Sequence, residues 1–295
     1  MSKRITYCFS MILFVALMLP RSYANEILFQ TPLEQADWNV TTSHFHCQIT
    51  HPVSRFGHVM LDVYPASAFS LSLVSDWFVK TQGTNDGAKA FVSYPEWKRG
   101  YPKRVYSLPM TWVSKNKLNV KGDGVFHFLS GLETGLTWQF LLGNHQQFLL
   151  TASAIKTQVA AQKFLQCFYH LVPKPFSYIR NLNIYFGVSL SSLTPQGEKD
   201  IEAIAAYYKY DKKISKIIVD GYTDNSGYHL ANMALSRYRA ENVTRRLIDL
   251  GIPQRLILTR FHGDRISITA EKTSKNKQIN RRVHIWVIKG NSKNV

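Results

Sequence analysis

Two prolines, Pro173 and Pro175, separate parts of the chain that have different hydrophobic patterns. A helix across them is improbable, because proline lacks a backbone N–H and disfavours helical geometry in the preceding residue. Before them, short apolar runs alternate with turn residues. After them, strand-like runs alternate with longer helical runs. Since 295 residues are enough for two hydrophobic cores, the sequence predicts two domains that meet near residue 175.

The first domain, residues 25–175, is predicted to be mostly antiparallel β. Apolar residues alternate with polar ones in four strand candidates: Val59–Tyr64, Ala68–Leu73, Gly124–Leu129 and Leu136–Leu142. Turn residues cluster at Thr84–Gly87 and Lys121–Gly124. The segment Thr151–Cys167 has helical composition and would bring Cys167 back toward Cys47.

The second domain, residues 176–291, is predicted to be an α/β sandwich, so the whole chain is of the α+β class. Its strand candidates are Leu182–Val188, Ile214–Val219, Leu256–Phe261 and Val283–Ile288. Thr194 followed by Pro195 is typical of a helix start, and a longer helix from about Tyr228 to Leu250 should end at Gly251. Strands that alternate with helices favour a sheet covered by helices.

Residues 1–24 have the pattern of a secretory signal peptide. Lys3 and Arg4 precede an apolar run, Tyr7–Leu19, and small residues occupy positions 22 and 24 before the expected cleavage site. The run is short for a membrane span, which needs about 20 residues, so a retained anchor is the weaker alternative. We therefore expect export to the periplasm and a mature chain that begins near Asn25.

The formal net charge of +17 is concentrated in the second domain. Residues 176–295 contain 20 Lys and Arg against 10 Asp and Glu. In an exported protein this charge suits an anionic polymer of the envelope, and a nucleic-acid partner is not expected. A basic face that is merely solvated is the alternative.

Export leaves two cysteines, Cys47 and Cys167, in the mature chain. An even number in an oxidising compartment predicts a disulfide. A loop of this length would contribute roughly 4–5 kcal/mol in the chain-entropy model. Two free buried thiols remain the alternative.

The sequence offers no arrangement for catalysis or for a cofactor. His44 and His46 alternate on a strand candidate, which is compatible with a metal, but no third ligand has suitable spacing. Ordered Ser-His-Asp sets, paired glycosidase carboxylates and zinc signatures are not evident. We therefore predict a protein that is not an enzyme and that holds neither a metal nor a cofactor.

One arginine occupies an unexpected position in the second domain. On a helical projection Arg239 falls on the same stripe as Leu235 and Val243, where a charge is costly unless an acceptor meets it. Asp224, in the turn before this helix, should lie nearby. Such a pair suits a zwitterion, with the carboxylate taking an ammonium group and the guanidinium a carboxylate. An internal pair of Arg239 with Asp224, or one that involves Asp220, remains open.

Four ordered blocks in the second domain resemble the OmpA C-terminal peptidoglycan-binding family. The blocks are Gly221-Tyr-Thr-Asp-Asn-Ser-Gly227, Asn232-Met-Ala-Leu-Ser-Arg-Tyr-Arg-Ala240, Gly251-Ile-Pro253 and Asn280-Arg-Arg-Val283. The resemblance implies that Asp224 and Arg239 bind the diaminopimelate residue of the stem peptide. It also implies that Asn232 orders the loop and that Thr223, Arg281 and Arg282 border the pocket. Tyr222 and Asp264 depart from the usual histidine and glutamate, which bears on affinity.

Scattered residues of the first domain resemble the MotY family of flagellar T-ring proteins. They are Trp38-Asn-Val40, Phe45-His-Cys-Gln-Ile-Thr-His51, Phe56-Gly57, Pro95-Glu-Trp97 and Gln166-Cys167. The resemblance implies a periplasmic, structural role in a sodium-driven polar motor. The first domain would associate with the basal body and MotX, while the second would anchor to the wall and help hold the stator complex. A general OmpA-family tether between wall and outer membrane is one alternative, and a wall-remodelling enzyme is another.

Overall fold

The computed structural model describes residues 27–76, 88–101, 103–143, 148–270 and 273–290. The predicted signal peptide, residues 1–24, and the predicted turn at Thr84–Gly87 lie outside the described residues. Among the described helices, none combines the length and the hydropathy that crossing a membrane requires.

In its described residues the first domain has one ten-stranded sheet and two α-helices. The strands are β1 Ile27–Gln30, β2 Asn39–Thr42, β3 Cys47–Val53, β4 Gly57–Val63, β5 Ser70–Ser75, β6 Ala88–Ser93, β7 Arg104–Ser114, β8 Lys117–Lys121, β9 Thr137–Leu142 and β10 Phe148–Ala152, and the helices are α1 Phe126–Glu133 and α2 Thr157–Tyr169. Their order in the sheet is β1-β10-β9-β6-β7-β8-β5-β4-β3-β2, which leaves β1 and β2 at the edges. All pairings are antiparallel except the β1–β10 pair, so the predicted antiparallel β domain is confirmed.

The disulfide between Cys47 and Cys167 is confirmed. The bond joins β3 to α2 across 120 residues, with the two Cα atoms 5.9 Å apart. Both cysteines belong to the core of the first domain, which also contains the fully buried rings of Trp138, Phe128 and Phe164. The bond therefore ties the last helix of this domain to one of its first strands.

The predicted strand at Gly124–Leu129 is wrong, because this segment is helical. A 3-10 turn over Asp123–Val125 leads directly into α1. The buried residues Val125, Phe128, Leu129 and Leu132 recur at helical spacing, and this longer pattern overrides the short alternation that suggested a strand. The helix predicted over Thr151–Cys167 starts only at Thr157, since the first residues of that range end β10.

The second domain has a four-stranded sheet with helices on one face, as predicted for an α/β sandwich. The elements are α3 Phe176–Ile179, β11 Asn181–Tyr185, α4 Pro195–Tyr210, β12 Ile214–Gly221, α5 His229–Asp249, β13 Ile257–Phe261, α6 Ser274–Asn280 and β14 Arg282–Lys289. The strand order is β11-β14-β12-β13, with only β12 and β13 parallel. Its core joins residues of α4 and α5 such as Ile204 and Val243 to strand residues such as Ile217 and Ile285.

The helix boundaries of this domain follow the local signals that the sequence carries. Thr194 caps α4, because its hydroxyl accepts a hydrogen bond from the Gly197 N–H at 3.1 Å, and Pro195 follows at the first helical position. Gly251 ends the α5 region with a φ of +90°, a conformation that glycine adopts at low cost.

The hairpin formed by β2 and β3 packs against the second domain. Phe45 at its tip packs against the core of the second domain, with its ring 4.8 Å from that of Tyr207. The ring of the adjacent His44 stacks on that of Tyr210, with 3.5 Å between the ring centroids. The backbone carbonyl of His44 accepts a hydrogen bond from the Val172 N–H at 2.9 Å. Because Cys47 directly follows the tip, the disulfide holds the base of this contact.

Candidate functional site

The candidate site lies where β12 ends and the loop of residues 222–228 leads into α5. Gly221, the last residue of β12, packs directly on α5, since a Cβ at this position would lie 2.2 Å from the Ser236 carbonyl oxygen. Only glycine permits so close an approach. The approach brings the loop that carries Asp224 against the helix face that carries Arg239.

Arg239 is completely buried, and backbone carbonyls hold its guanidinium. Its Nε donates to Leu190 O at 2.8 Å, its Nη1 to Tyr222 O at 3.1 Å and its Nη2 to Gly187 O at 3.0 Å. Burial lowers the pKa of Arg239 to about 10, while the nearby carboxylate of Asp224 acts in the opposite direction. The guanidinium therefore stays charged at neutral pH in a fixed position.

Asp224 is also buried and pairs with a different arginine. Its Oδ2 accepts a hydrogen bond from Arg281 Nη1 at 2.7 Å, and its Oδ1 accepts one from the Ser226 N–H at 3.2 Å. Both side chains of the pair retain 10% exposure, in contrast to Arg239. Arg281 also donates to the side chain of Gln278. The site thus presents one carboxylate close to two guanidinium groups.

Neither internal pair that the sequence left open for Arg239 is formed. Asp220 instead accepts two hydrogen bonds from Arg260, both at 2.6 Å, and lies 2.9 Å from His262 Nε2. Burial alone would raise the pKa of Asp220, but the hydrogen bonds from Arg260 and His262 outweigh it and lower the pKa. Asp220 is therefore engaged away from the loop.

Thr223 and Asn232 both lie beside the loop, with different contacts. The Thr223 N–H donates to Gly263 O at 2.9 Å, and within the described part of the chain its buried hydroxyl has no hydrogen-bond partner. Asn232 Nδ2 donates to Asp264 Oδ2 at 3.3 Å, and His229 Nδ1 lies 2.7 Å from the other oxygen of the same carboxylate. Asn232 therefore joins α5 to the loop after β13.

Arg281 and Arg282 point in different directions. Val283 belongs to the core on the helix side of the sheet, so the preceding residue of β14, Arg282, faces the opposite side. Its guanidinium lies 4.0 Å from the centre of the Tyr222 ring. The structure thus brings Arg281, but not Arg282, to Asp224.

The segment after β11 contributes contacts that the sequence did not indicate. The carbonyls of Gly187 and Leu190 accept from Arg239, and the ring of Phe186 lies 5.1 Å from its guanidinium. Backbone carbonyls exist at every residue, so no residue type marks them in advance. The pairing of Arg281 with Asp224 was missed as well, although the sequence placed Arg281 beside the pocket.

Two family models match the chain, one for each domain. The MotY N-terminal domain model matches residues 29–173, and the OmpA family model matches residues 185–281.

Relatives match the chain over different lengths. The sodium-type flagellar protein MotY of Vibrio parahaemolyticus is 25% identical over 261 residues, which cover 85% of this chain and 87% of that protein. The probable lipoprotein YiaD of Escherichia coli is 36% identical over 104 residues, or 35% of this chain and 47% of that protein.

Solved structures resemble part of this chain. The peptidoglycan-associated lipoprotein of Burkholderia pseudomallei is 25% identical, with a TM-score of 0.34, over 36% of this chain and 89% of that one. The C-terminal domain of Helicobacter pylori MotB is 22% identical, also with a TM-score of 0.34, over 37% of this chain and 85% of that one. Residues 29–173 thus match the MotY N-terminal domain, and residues 185–281, which follow them in the same chain, match the OmpA family.

Proposed function

We propose that this chain is a non-enzymatic structural component of a sodium-driven flagellar motor, and that its second domain anchors it to peptidoglycan. The proposal rests on one observation: a match to the MotY N-terminal domain and a match to the OmpA family occur in the same chain. The similarity to a sodium-type flagellar protein over 85% of this chain supports the same role. The chain then works in the periplasm, after removal of residues 1–24.

The wall ligand is the diaminopimelate residue of the stem peptide, whose side chain ends in a zwitterion. Asp224 takes the ammonium group and Arg239 takes the carboxylate, since a planar guanidinium can donate two parallel hydrogen bonds. Three of the five N–H groups of Arg239 already donate to carbonyls, which leaves two for a ligand. The buried hydroxyl of Thr223 has no hydrogen-bond partner among the described residues. It therefore supplies a further polar contact to the ligand.

Binding requires a rearrangement at the rim of the pocket. Arg239 has no exposed surface, and Arg281 occupies the oxygen of Asp224 that an ammonium group would use. We infer that the ligand ammonium displaces Arg281 from Asp224, and that Arg281 then turns to the ligand carboxylate. This exchange gives both Asp224 and Arg281 a partner of opposite charge on the ligand, so the buried carboxylate is not left without a cation.

The first domain associates with the basal body and with MotX, and the second holds the assembly against the wall. A stator exerts torque only if its counterforce reaches a rigid structure, and a crosslinked wall provides one. The domain boundary near residue 175 separates these two tasks.

A general envelope tether unconnected with flagella is the second candidate, because the OmpA family domain alone would serve it. Co-purification with hook–basal bodies and loss of motility in a deletion strain support the motor role. Normal motility together with absence from basal bodies would favour the tether.

The wall-binding site is tested by co-sedimentation of the mature protein with isolated sacculi. Asp224→Asn removes the charge with little change of shape, and Arg239→Lys keeps the charge but loses the planar fork. Because removing one partner of a desolvated charge contact costs about 2–5 kcal/mol, we expect both variants to lose pelleting. Asp249→Asn, at an exposed position near the end of the same helix, is the matched control and should pellet normally. Undiminished pelleting of folded Asp224→Asn and Arg239→Lys would refute the assignment.

A further inference from the structure

A groove runs along the edge of the large sheet, between β2 and α2. Two adjoining cavities form it, of about 640 Å³ and about 480 Å³, and both are lined by Val40 and Lys163. Since β2 is the last strand of the sheet, one side of its backbone faces this groove.

The alternation of hydrogen-bonded and non-bonded pairs between β2 and β3 shows which backbone groups of β2 point away from β3. The Ser43 N–H donates to the His46 carbonyl at 3.0 Å, so Ser43 is in a hydrogen-bonded pair of the antiparallel ladder. Such pairs alternate with non-bonded ones, and Val40 and Thr42 therefore direct their N–H and C=O groups away from β3. Within the described residues no backbone partner meets these groups. Both residues also line the larger cavity.

The opposite wall of the groove is one face of α2. Four residues at helical spacing line it: Val159, Ala160, Lys163 and Gln166. Val159 is 58% exposed, which is high for a valine inside a groove. A strand added to β2 would place alternate side chains over this apolar position.

The charge in the groove favours an acidic ligand. Lys156 lies 3.6 Å from Asp37 at one end, so these two charges largely compensate each other. Lys163, halfway along the groove, has no acidic partner among the described residues. His44 and His170 line the other end.

The edge itself, although only four residues long, lacks three of the usual protections against pairing with another chain. Soluble proteins guard edge strands with lysine, proline or a bulge, whereas β2 reads Asn-Val-Thr-Thr and pairs with β3 in a regular register. An edge without these features, beside a helix-lined groove, is a site for strand addition.

We propose that the groove between β2 and α2 binds an extended acidic segment of a partner protein as an eleventh strand of the sheet. The backbone of Val40 and Thr42 supplies the pairing, Val159 receives an apolar side chain, and Lys163 receives a carboxylate. The inference concerns a protein ligand, and it depends neither on the wall-binding site nor on which protein supplies the segment.

The test uses a displayed library of random ten-residue peptides, selected on the oxidised mature protein. We expect the enriched peptides to carry acidic residues in alternation with apolar ones. Thr42→Pro removes an outward N–H and blocks the edge without touching the ladder to β3, and should weaken binding of the selected peptides about tenfold. Lys163→Glu leaves the backbone intact and should weaken the same peptides by a similar factor. Lys89→Glu, an exposed charge reversal on β6, is the matched control and should bind as the unchanged protein does.

Hydrogen exchange reports the geometry directly. On peptide binding, the amides of Val40 and Thr42 should exchange more slowly, because they acquire carbonyl partners. The proposal is overturned if the library yields no enriched peptide, if the enriched peptides bind Lys163→Glu and Thr42→Pro undiminished, or if protection appears elsewhere.

Discussion

The two domains bury polar groups in different ways. In the first domain the buried polar side chains are mostly neutral, and they satisfy one another across the sheet: Asn119 Nδ2 donates to Ser70 Oγ and to Ser72 Oγ, both at 2.8 Å. In the second domain the described buried residues include three arginines, namely Arg239, Arg281 and Arg282. A neutral network stabilises a fold, whereas buried charges cost free energy unless partners compensate them. The contrast supports the proposal that the second domain recognises a zwitterionic ligand in a buried site.

The domains also differ in how they are held together. A disulfide closes the first domain, while residues 176–295 contain no cysteine. The second domain relies on a covered sheet, helix caps and ion pairs. Conditions that reduce disulfides therefore break a covalent link in the first domain and none in the second.

The largest expected effect is on the first domain. Replacing both Cys47 and Cys167 with serine should lower its free energy of unfolding by roughly 4–5 kcal/mol, because a long loop is no longer closed in the unfolded chain. Urea titration followed by peptide-resolved hydrogen exchange measures each domain separately. Equal losses of unfolding free energy in both domains would show that the contact through Phe45 couples them. No loss in the first domain would show that the disulfide does not stabilise it.

The next effect is on the second domain. Arg239→Met should destabilise it by about 3 kcal/mol, since three buried carbonyls lose their donor at once. Arg237→Met on the exposed side of the same helix removes a surface pair with Glu241 and a ring contact with Phe261, and should change stability far less. Equal values for the two variants in urea titration would contradict a structural role for the buried guanidinium.

The two domains should respond to pH in opposite directions. Burial raises the pKa of Asp62 in the first domain, so its contribution to stability is present below about pH 4, the usual range for aspartate, and is lost as pH rises through the folded pKa. Burial opposes but does not prevent a lowered pKa at Asp220, where Arg260 and His262 donate hydrogen bonds. That contribution is present above about pH 4 and is lost as pH falls through the folded pKa.

Substitution at these two carboxyls separates the domains at neutral pH. Asp62→Asn should stabilise the first domain, whereas Asp220→Asn should destabilise the second by about 1 kcal/mol. Domain-resolved unfolding at pH 7 measures both. A stability change of the same sign in the two variants would contradict this difference between the domains.

The smallest effect concerns a helix cap. Thr194→Ala should lower the stability of the second domain by about 1 kcal/mol, because the Gly197 N–H loses its acceptor. Thr194→Ser keeps an oxygen at the same position and should recover most of the loss. If the two variants unfold alike in urea, the cap does not act as described.

The second domain was the easier one to predict from sequence, because its signals are local. Thr194 with Pro195 starts α4, and Gly251 ends α5 where expected. In the first domain the segment Gly124–Leu129 alternates like a strand, and only the longer repeat that reaches Leu132 reveals the helix. Short apolar runs fit both structures, so tertiary packing decides.

The sequence identified charged residues of the site but not the groups with which they pair. A guanidinium on a buried helical stripe identified Arg239, and the turn after β12 identified Asp224. Its acceptors, the carbonyls of Gly187 and Leu190, come from a distant segment of the chain and have no signature in residue type. The opposite orientations of Arg281 and Arg282 follow from where β14 begins, which the sequence did not fix to the residue.

Calorimetric titration of the mature protein with two stem tripeptides tests the central claim most directly. One tripeptide ends in diaminopimelate, and the other ends in lysine, which has the ammonium group but lacks the second carboxylate. If Asp224 and Arg239 hold a zwitterion, the diaminopimelate peptide should bind at least about tenfold more tightly. Arg239→Lys should reduce this difference, whereas Asp224→Asn should weaken the binding of both peptides. Equal affinity of the unchanged protein for the two tripeptides, or a difference that Arg239→Lys leaves as it is, would contradict the claim.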